Sequence, residues 1–263
     1  MNIAPNFQRE KRLALFIDYD NLAVGMKNSS SKRFQIELIL DRVLEKGKIL
    51  VKRAYADWSA YREGRLELHE AAVELVEIPR KRVGAKNSAD IRMVVDALDL
   101  AFSRTHIDSF VLVTGDSDFS PLVTKLREHD REVIGIGLKS ATSALLLENC
   151  DEFIFYEDLL KRTTVETPVR GRSDLTKTQR ETFDLVVETA RALLREGRDT
   201  VWASMIKQTI RRKKPSFDES VHDYGSFSEL LEDMEEKGLL QLTKDPKSGS
   251  LVVTAVTGRQ ERA

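Results

Sequence analysis

From residue 12 to about residue 160, short apolar runs alternate with segments whose apolar positions recur at helical spacing. Residues 12–18 (RLALFID) form a continuous apolar run closed by Asp18, the pattern of a buried strand. Residues 34–46 place Ile36, Ile39, Leu40, Val43 and Leu44 on one face of a helix. Residues 48–57 (KILVKRAYAD) read as a second strand, again ending in an aspartate. A helix is expected over 63–72, then a short third strand over 73–78, stopped by Pro79. Helical period returns over 88–102 through Ile91, Val94, Val95, Leu98 and Phe102. Residues 110–114 (FVLVT) are the cleanest buried strand. A helix follows over 120–128, with Pro121 in its first turn, where the missing N–H has no partner to lose. Residues 132–137 (EVIGIG) read as a fifth strand, 143–149 as a short helix and 153–155 as a last strand. This alternation predicts an α/β fold: a mostly parallel, Rossmannoid sheet flanked by helices, joined by right-handed crossovers. Ligands of such sheets bind beyond the carboxyl ends of the strands.

The pattern breaks at 161–175 (KRTTVETPVRGRSDL), which holds Pro168, Gly171 and few apolar residues and reads as a linker. Beyond it, helices are expected over 178–195, 200–210 and 227–236, with Gly238 as a helix stop. Strands at 239–243 and 250–255 are joined by a turn-rich stretch, KDPKSG. Helices followed by a two-stranded hairpin predict a small winged-helix domain. The division expected is a tail at 1–11, an α/β domain at 12–162, a linker at 163–175, a winged-helix domain at 176–257 and a tail at 258–263. The length of 263 residues suits two domains, each able to bury a core.

Composition narrows the chemistry. The single cysteine, Cys150, excludes an internal disulfide and any zinc site of several thiolates. His69, His106, His129 and His222 show no metal spacing. Lys and Arg number 42 against 43 Asp and Glu, which rules out a histone-like polycation but not nucleic acid, since a local basic patch is what binds phosphate. No apolar stretch reaches the ~18 residues of a membrane span. Residues 1–12 lack an apolar signal-peptide core, so the expected location is cytoplasmic.

Three expected strands end in carboxylates: Asp18-Tyr19-Asp20-Asn21, Asp57-Trp58, and Gly115-Asp116-Ser117-Asp118-Phe119. In a parallel sheet they share one edge, and Asp90 heads a helix toward it. One aspartate at a strand end is usually a helix N-cap. Asp18, Asp90, Asp116 and Asp118 together also suit a hard divalent cation, Mg²⁺ or Mn²⁺, able to polarise a phosphoryl oxygen and activate water. On patterning alone, caps and metal centre stand side by side.

The combination of Asp18-Tyr19-Asp20-Asn21, Lys86 with Asp90, Asp96 with Leu98, and Gly115-Asp116-Ser117-Asp118-Phe119 resembles the signature of the NYN domain, a PIN-like ribonuclease fold. The resemblance runs over about residues 13–160. Ser88-Ala89 stands where many members carry Gly-Val. Residues 224–231 (YGSFSELL) resemble the OST-HTH or LOTUS module, a winged helix. The first resemblance implies metal-dependent hydrolysis of RNA, with Asp18, Asp90 and Asp116 as acidic core and Asp118 as a fourth ligand or supporting group. It gives Asn21 an orienting or substrate-touching role, while Asp57 and Asp96 match less strictly. PIN-like domains often pair, so a homodimer is consistent with it. The second resemblance implies RNA binding or docking to a protein partner.

Substrate contacts follow from position. Arg80, Lys81 and Arg82 lie on the expected acidic edge and suit RNA phosphates, or a solvated loop; Lys86 suits a phosphate as well. Ser117 lies inside the acidic motif, where substrate contact is expected. Trp58, just past a strand end, is the better candidate to stack an unpaired base of single-stranded RNA; Tyr55 reads as core, and Tyr61 also flanks Asp57. Residues 211–214 (RRKK) suit phosphate or a helix C-terminus. Two other readings compete. Asp18-x-Asp20 with Gly115-Asp116-Ser117 also resembles haloacid-dehalogenase-type phosphatases, with Asp18 as nucleophile, Asp20 as acid and Lys86 steadying phosphate. Asn21 departs from that pattern. The other is a non-catalytic RNA-binding or interaction protein.

Overall fold

The computed structural model describes residues 10–27, 34–78, 88–163, 176–196, 200–222 and 224–257. They fall into two units, one within Arg9–Val165 and one within Glu166–Ala263.

In the first unit, β1 (Arg12–Asp18), β2 (Lys48–Ala56), β3 (Glu74–Glu77), β4 (Ser109–Val113), β5 (Glu132–Gly137) and β6 (Glu152–Phe155) form one sheet in the order β3-β2-β1-β4-β5-β6. Every neighbouring pair is parallel. Strands alternate with helices because each parallel return needs a crossover. The chain builds outward from β1 in one direction, then returns to lay β4 on the other side, so β1 and β4 flank the switch point.

The central strands are apolar throughout because both faces are covered. Leu13, Leu15 and Ile17 of β1 point into one core with α1 (Tyr19–Lys27), α2 (Ile36–Lys46), α3 (Arg62–Glu70) and α7 (Tyr156–Thr163). Ala14 and Phe16 point into the other, with α4 (Ser88–Ser103), α5 (Ser120–Glu128) and α6 (Ala144–Asn149). Two of these helices depart from the sequence reading. α1 follows β1 with no intervening loop, and its only fully apolar anchor is Leu22, so its period is faint. α7 runs through Thr163, so the first residues expected to be linker are helical.

The second unit comprises α8 (Lys177–Arg195), β7 (Val201–Trp202), α9 (Ala203–Lys213), α10 (Phe227–Glu236), β8 (Leu240–Lys244) and β9 (Leu251–Val256). Its sheet has the order β7-β9-β8, all antiparallel, which is winged-helix topology. The helix expected over 200–210 starts later, at Ala203, because Val201 and Trp202 pair with Val253 and Val252. α8 opens on a capping box between Thr176 and Gln179. α10 closes in a Schellman turn: Gly238 N–H donates to Glu235 at 2.8 Å and Leu239 N–H to Met234 at 2.9 Å. Gly238, at φ 70°, holds the left-handed position this turn requires.

Candidate active site

β1 and β4 are neighbours, with Ile17 opposite Val113, so the residues that follow each strand emerge together at the switch point. Asp18 ends β1 and is only 4% exposed. Its Oδ1 accepts from the Asn21 N–H at 3.1 Å and its Oδ2 from the Thr114 hydroxyl at 3.0 Å. The Thr114 hydroxyl in turn accepts from the Asp116 N–H at 3.2 Å. The Asn21 side-chain oxygen accepts from the Gly115 N–H at 3.1 Å. These bonds stitch the start of α1 to the loop after β4. Asp116 Oδ1 accepts from the Asp118 N–H at 3.0 Å, capping the short 3₁₀ turn Ser117–Phe119. Asp90 stands in the first turn of α4.

The electrostatics tie these groups into one site. Burial lifts the Asp18 carboxyl to about 7, helped by the charges of Asp90 and Asp20 and opposed by its bonds to Asn21 and Thr114. Asp90 is also raised, first by burial and then by Asp116, Asp118 and Asp20. Asp18, Asp20, Asp90, Asp116 and Asp118 therefore share one region of negative potential. Among the described residues, no three His, Cys, Asp or Glu side chains are arranged to hold a metal ion. The donor set is nonetheless all oxygen. It fits Mg²⁺ or Mn²⁺, since Mg²⁺ typically takes one or two carboxylates directly and completes its shell with water and phosphate. It does not fit a thiolate or imidazole site.

The remaining candidates fall elsewhere. Trp58 is 2% exposed; its indole N–H donates to the Val76 carbonyl at 3.0 Å and its ring lies 5.2 Å from that of Tyr19. The expectation that it stacks a base is thus corrected. The 3₁₀ turn Trp58–Ala60, capped by Asp57, folds the indole back into the core. Tyr55 is buried and donates to Asp96 at 2.9 Å, while Arg92 pairs with Asp96 at 3.0 Å, so Asp96 is engaged away from the cluster. Arg80, Arg82 and Lys86 lie outside the described residues. Ser117 begins the 3₁₀ turn between Asp116 and Asp118. Asp20 enters the sequence reading only as the acid of the phosphatase alternative, and Thr114 is missed as part of the site. Thr114 had one signal, a hydroxyl ending an otherwise apolar strand.

Gly115 makes this corner possible. A Cβ there would lie 2.2 Å from the Ala141 carbonyl oxygen, a backbone atom that cannot swing aside. Gly115→Ala should cost about 1–3 kcal/mol in chemical denaturation and displace the Asn21 anchor. An unchanged midpoint would refute that reading of the corner.

A parallel sheet in this order, with carboxylates gathered beyond β1 and β4, defines a PIN-like α/β protein. The NYN domain model matches residues 12–159, more than half the chain, and the chain belongs to the NYN domain family, a PIN-like nuclease fold. It is 33% identical over 147 residues to an uncharacterized protein of Methanocaldococcus jannaschii, covering 55% of this chain and 55% of that one. The chain thus spans about half the length of that curated relative. A crystal structure of a protein of unknown function from Vibrio parahaemolyticus shares the fold, with a TM-score of 0.52 and 22% identity over 59% of this chain and 98% of that one. At the family level the NYN domain points to a nuclease with RNA as substrate, and PIN-like nucleases typically use divalent metals. Among the described residues, no helix is long and apolar enough to cross a membrane.

Proposed function

We propose that the chain is a metal-dependent ribonuclease that hydrolyses phosphodiester bonds of single-stranded RNA. The observation that carries this is the coupling of carboxylates from β1, α4 and the loop after β4 at one switch point. Asp18, Asp90, Asp116 and Asp118 would surround Mg²⁺ or Mn²⁺, one or two of them touching it directly and the others through its water shell. Bound there, the cation supplies a Lewis acid for a phosphoryl oxygen and a water of lowered pKa. The chain's own residues do the positioning. Thr114 and the Asn21 N–H fix both Asp18 oxygens, so this carboxylate meets its ligand without losing rotational freedom at that moment. Asn21 and Ser117 flank the cluster and orient substrate. Arg80, Arg82 and Lys86 supply phosphate contacts. Residues 176–257, as an OST-HTH or LOTUS module, bind RNA or a protein partner. Cytoplasmic location and pairing into a homodimer belong to the same proposal.

The phosphatase reading is weaker. A nucleophilic Asp18 would itself have to leave its Thr114 and Asn21 bonds and reach a phosphorus from a nearly sealed position, whereas a hydrated cation can be held chiefly by the more exposed Asp90, Asp116 and Asp118, with Asp18 behind its water shell.

End-labelled single-stranded RNA, incubated with and without Mn²⁺ or Mg²⁺, tests the proposal. Cleavage should vanish in EDTA and fall by at least about a hundredfold in Asp116→Asn. Equal cleavage by that variant would expose a contaminating nuclease. Hydrolysis of a small aryl phosphate with internal RNA bonds intact would restore the phosphatase. RNA binding without turnover in either metal would leave a binding protein.

A further inference from the structure

About 9 Å further along α4 than Asp90, Asp96 gathers groups that the acidic cluster does not use. The Tyr55 hydroxyl donates to its Oδ2 at 2.9 Å and pins the carboxylate to β2. Tyr55 pairs in register with Asp18, so the anchor starts level with the most buried acid of the site. The Arg53 guanidinium lies 3.8 Å from the same oxygen and is itself tied to Glu74 of β3 at 2.8 Å. The other oxygen, Oδ1, accepts from Arg92 Nε at 3.0 Å. The Asp96 side chain is 14% exposed and that of Arg92 58%. A mostly buried acid, fixed by the sheet, thus holds an exposed guanidinium by one nitrogen. The Arg92 Nη groups have no partner among the described residues, so their N–H donors are open to a ligand.

Position and charge say what that ligand is. α4 is the crossover from β3 to β4, so it starts at the carboxyl edge of the sheet, where the acids gather, and Arg92 lies near that start. The carboxylates repel a phosphodiester chain, so the grip on RNA has to come from cations that flank them. An ion pair between two exposed side chains of a helix holds neither of them firmly. Here the acid is anchored, and the guanidinium keeps the planar fork that takes two phosphate oxygens at once. Asp90 and Arg92 are two residues apart and so point about 200° apart around the helix. The phosphate within reach of Arg92 is therefore not the one at the carboxylates. We propose that Arg92 grips an RNA phosphate neighbouring the scissile one, on the β2 side of α4, with Asp96 as the positioning residue that aims it. This rests on the ribonuclease reading and adds to it a binding residue and a path for the strand, from the acids toward β2.

The test uses the full chain carrying Asp116→Asn, so that the RNA stays intact, with Mn²⁺ and a labelled single-stranded RNA over a series of KCl concentrations. Arg92→Ala should weaken binding about three- to fivefold and lower the slope of log affinity against log salt by about 0.7, the share of one phosphate. Arg92→Lys should restore the slope but only part of the affinity, because it keeps the charge and loses the fork. Arg104→Ala removes the same charge from an exposed position just past the far end of α4, and should change neither. Asp96→Asn keeps an acceptor for Tyr55 but turns an amide donor toward Arg92. Loss of a negative charge alone would tighten RNA binding. Here Asp96→Asn should weaken it, and should change nothing once Arg92 is alanine, a pairing that a merely structural Asp96 would not produce. Melting temperatures confirm that each variant is folded. With Asp116 restored, KM for cleavage should rise by the factor that the affinity falls in Arg92→Ala. The proposal is overturned if Arg92→Ala keeps the salt slope, if Arg104→Ala lowers it equally, or if Asp96→Asn binds RNA more tightly. A wild-type chain that cuts no RNA overturns the ribonuclease reading itself, whereas cleavage with an unchanged slope in Arg92→Ala removes only the phosphate contact.

Discussion

Asp18→Asn should be more stable than the wild-type protein in EDTA at pH 8, and by less at pH 5, while RNA cleavage falls by at least about a hundredfold. The sign follows from burial. Asp18 titrates at about 7 in the folded chain against 3.8 as an unperturbed group. A raised carboxyl contributes stability that is whole below the unfolded value and lost as pH rises through the folded one. Between pH 4 and pH 7 the metal-free protein should therefore lose stability on the order of 4 kcal/mol from this group. Asparagine copies the shape of the protonated acid and carries no charge, so the variant escapes that loss. It keeps the acceptor for the Asn21 N–H, and its amide can donate to Thr114 as the protonated acid would. Mn²⁺ should raise the melting temperature of the wild type at pH 8 more than that of the variant, because binding to the folded state stabilises it. Denaturant titrations at the two pH values, each with and without metal, measure all of this. A variant less stable than wild type at pH 8 without metal would show that Asp18 is not a strained buried charge.

Trp58→Ala should cost about 3–5 kcal/mol of stability, the range for deleting a large core aromatic. The indole is buried against Tyr19, and its loss also leaves the Val76 carbonyl without its donor. A surface base-stacker would behave the other way, with an unchanged melting temperature and weakened RNA binding. Denaturation and RNA affinity measured on the same preparation separate the two. If stability held and affinity fell, the core placement of Trp58 would be wrong.

Much of the first unit is legible because its strands are covered on both faces. A strand such as FVLVT has to be apolar throughout, and it stands out against the amphipathic helices around it. The strand-end aspartates are legible for a related reason: parallel pairing sends every strand's carboxyl end to one edge. α1 was not legible, since it follows β1 without a break and presents few apolar anchors. β7 was not legible either, because two residues are too few to show a period and their strand character comes from pairing with β9. Trp58 looked exposed because a position past a strand end usually opens into a loop, and only the capped 3₁₀ turn reverses it.

The sequence by itself determined the alternation of strand and helix, the gathering of acids at strand ends and the family to which the first unit belongs. These depend on local pattern and on residue identities at short spacing. Only the tertiary structure decided that Asp18 is sealed in with Thr114 and Asn21, that Asp90 shares its field with Asp116 and Asp118, and that Tyr55 pins Asp96. Burial and through-space repulsion depend on neighbours far apart in the chain, and no window along the sequence contains both partners.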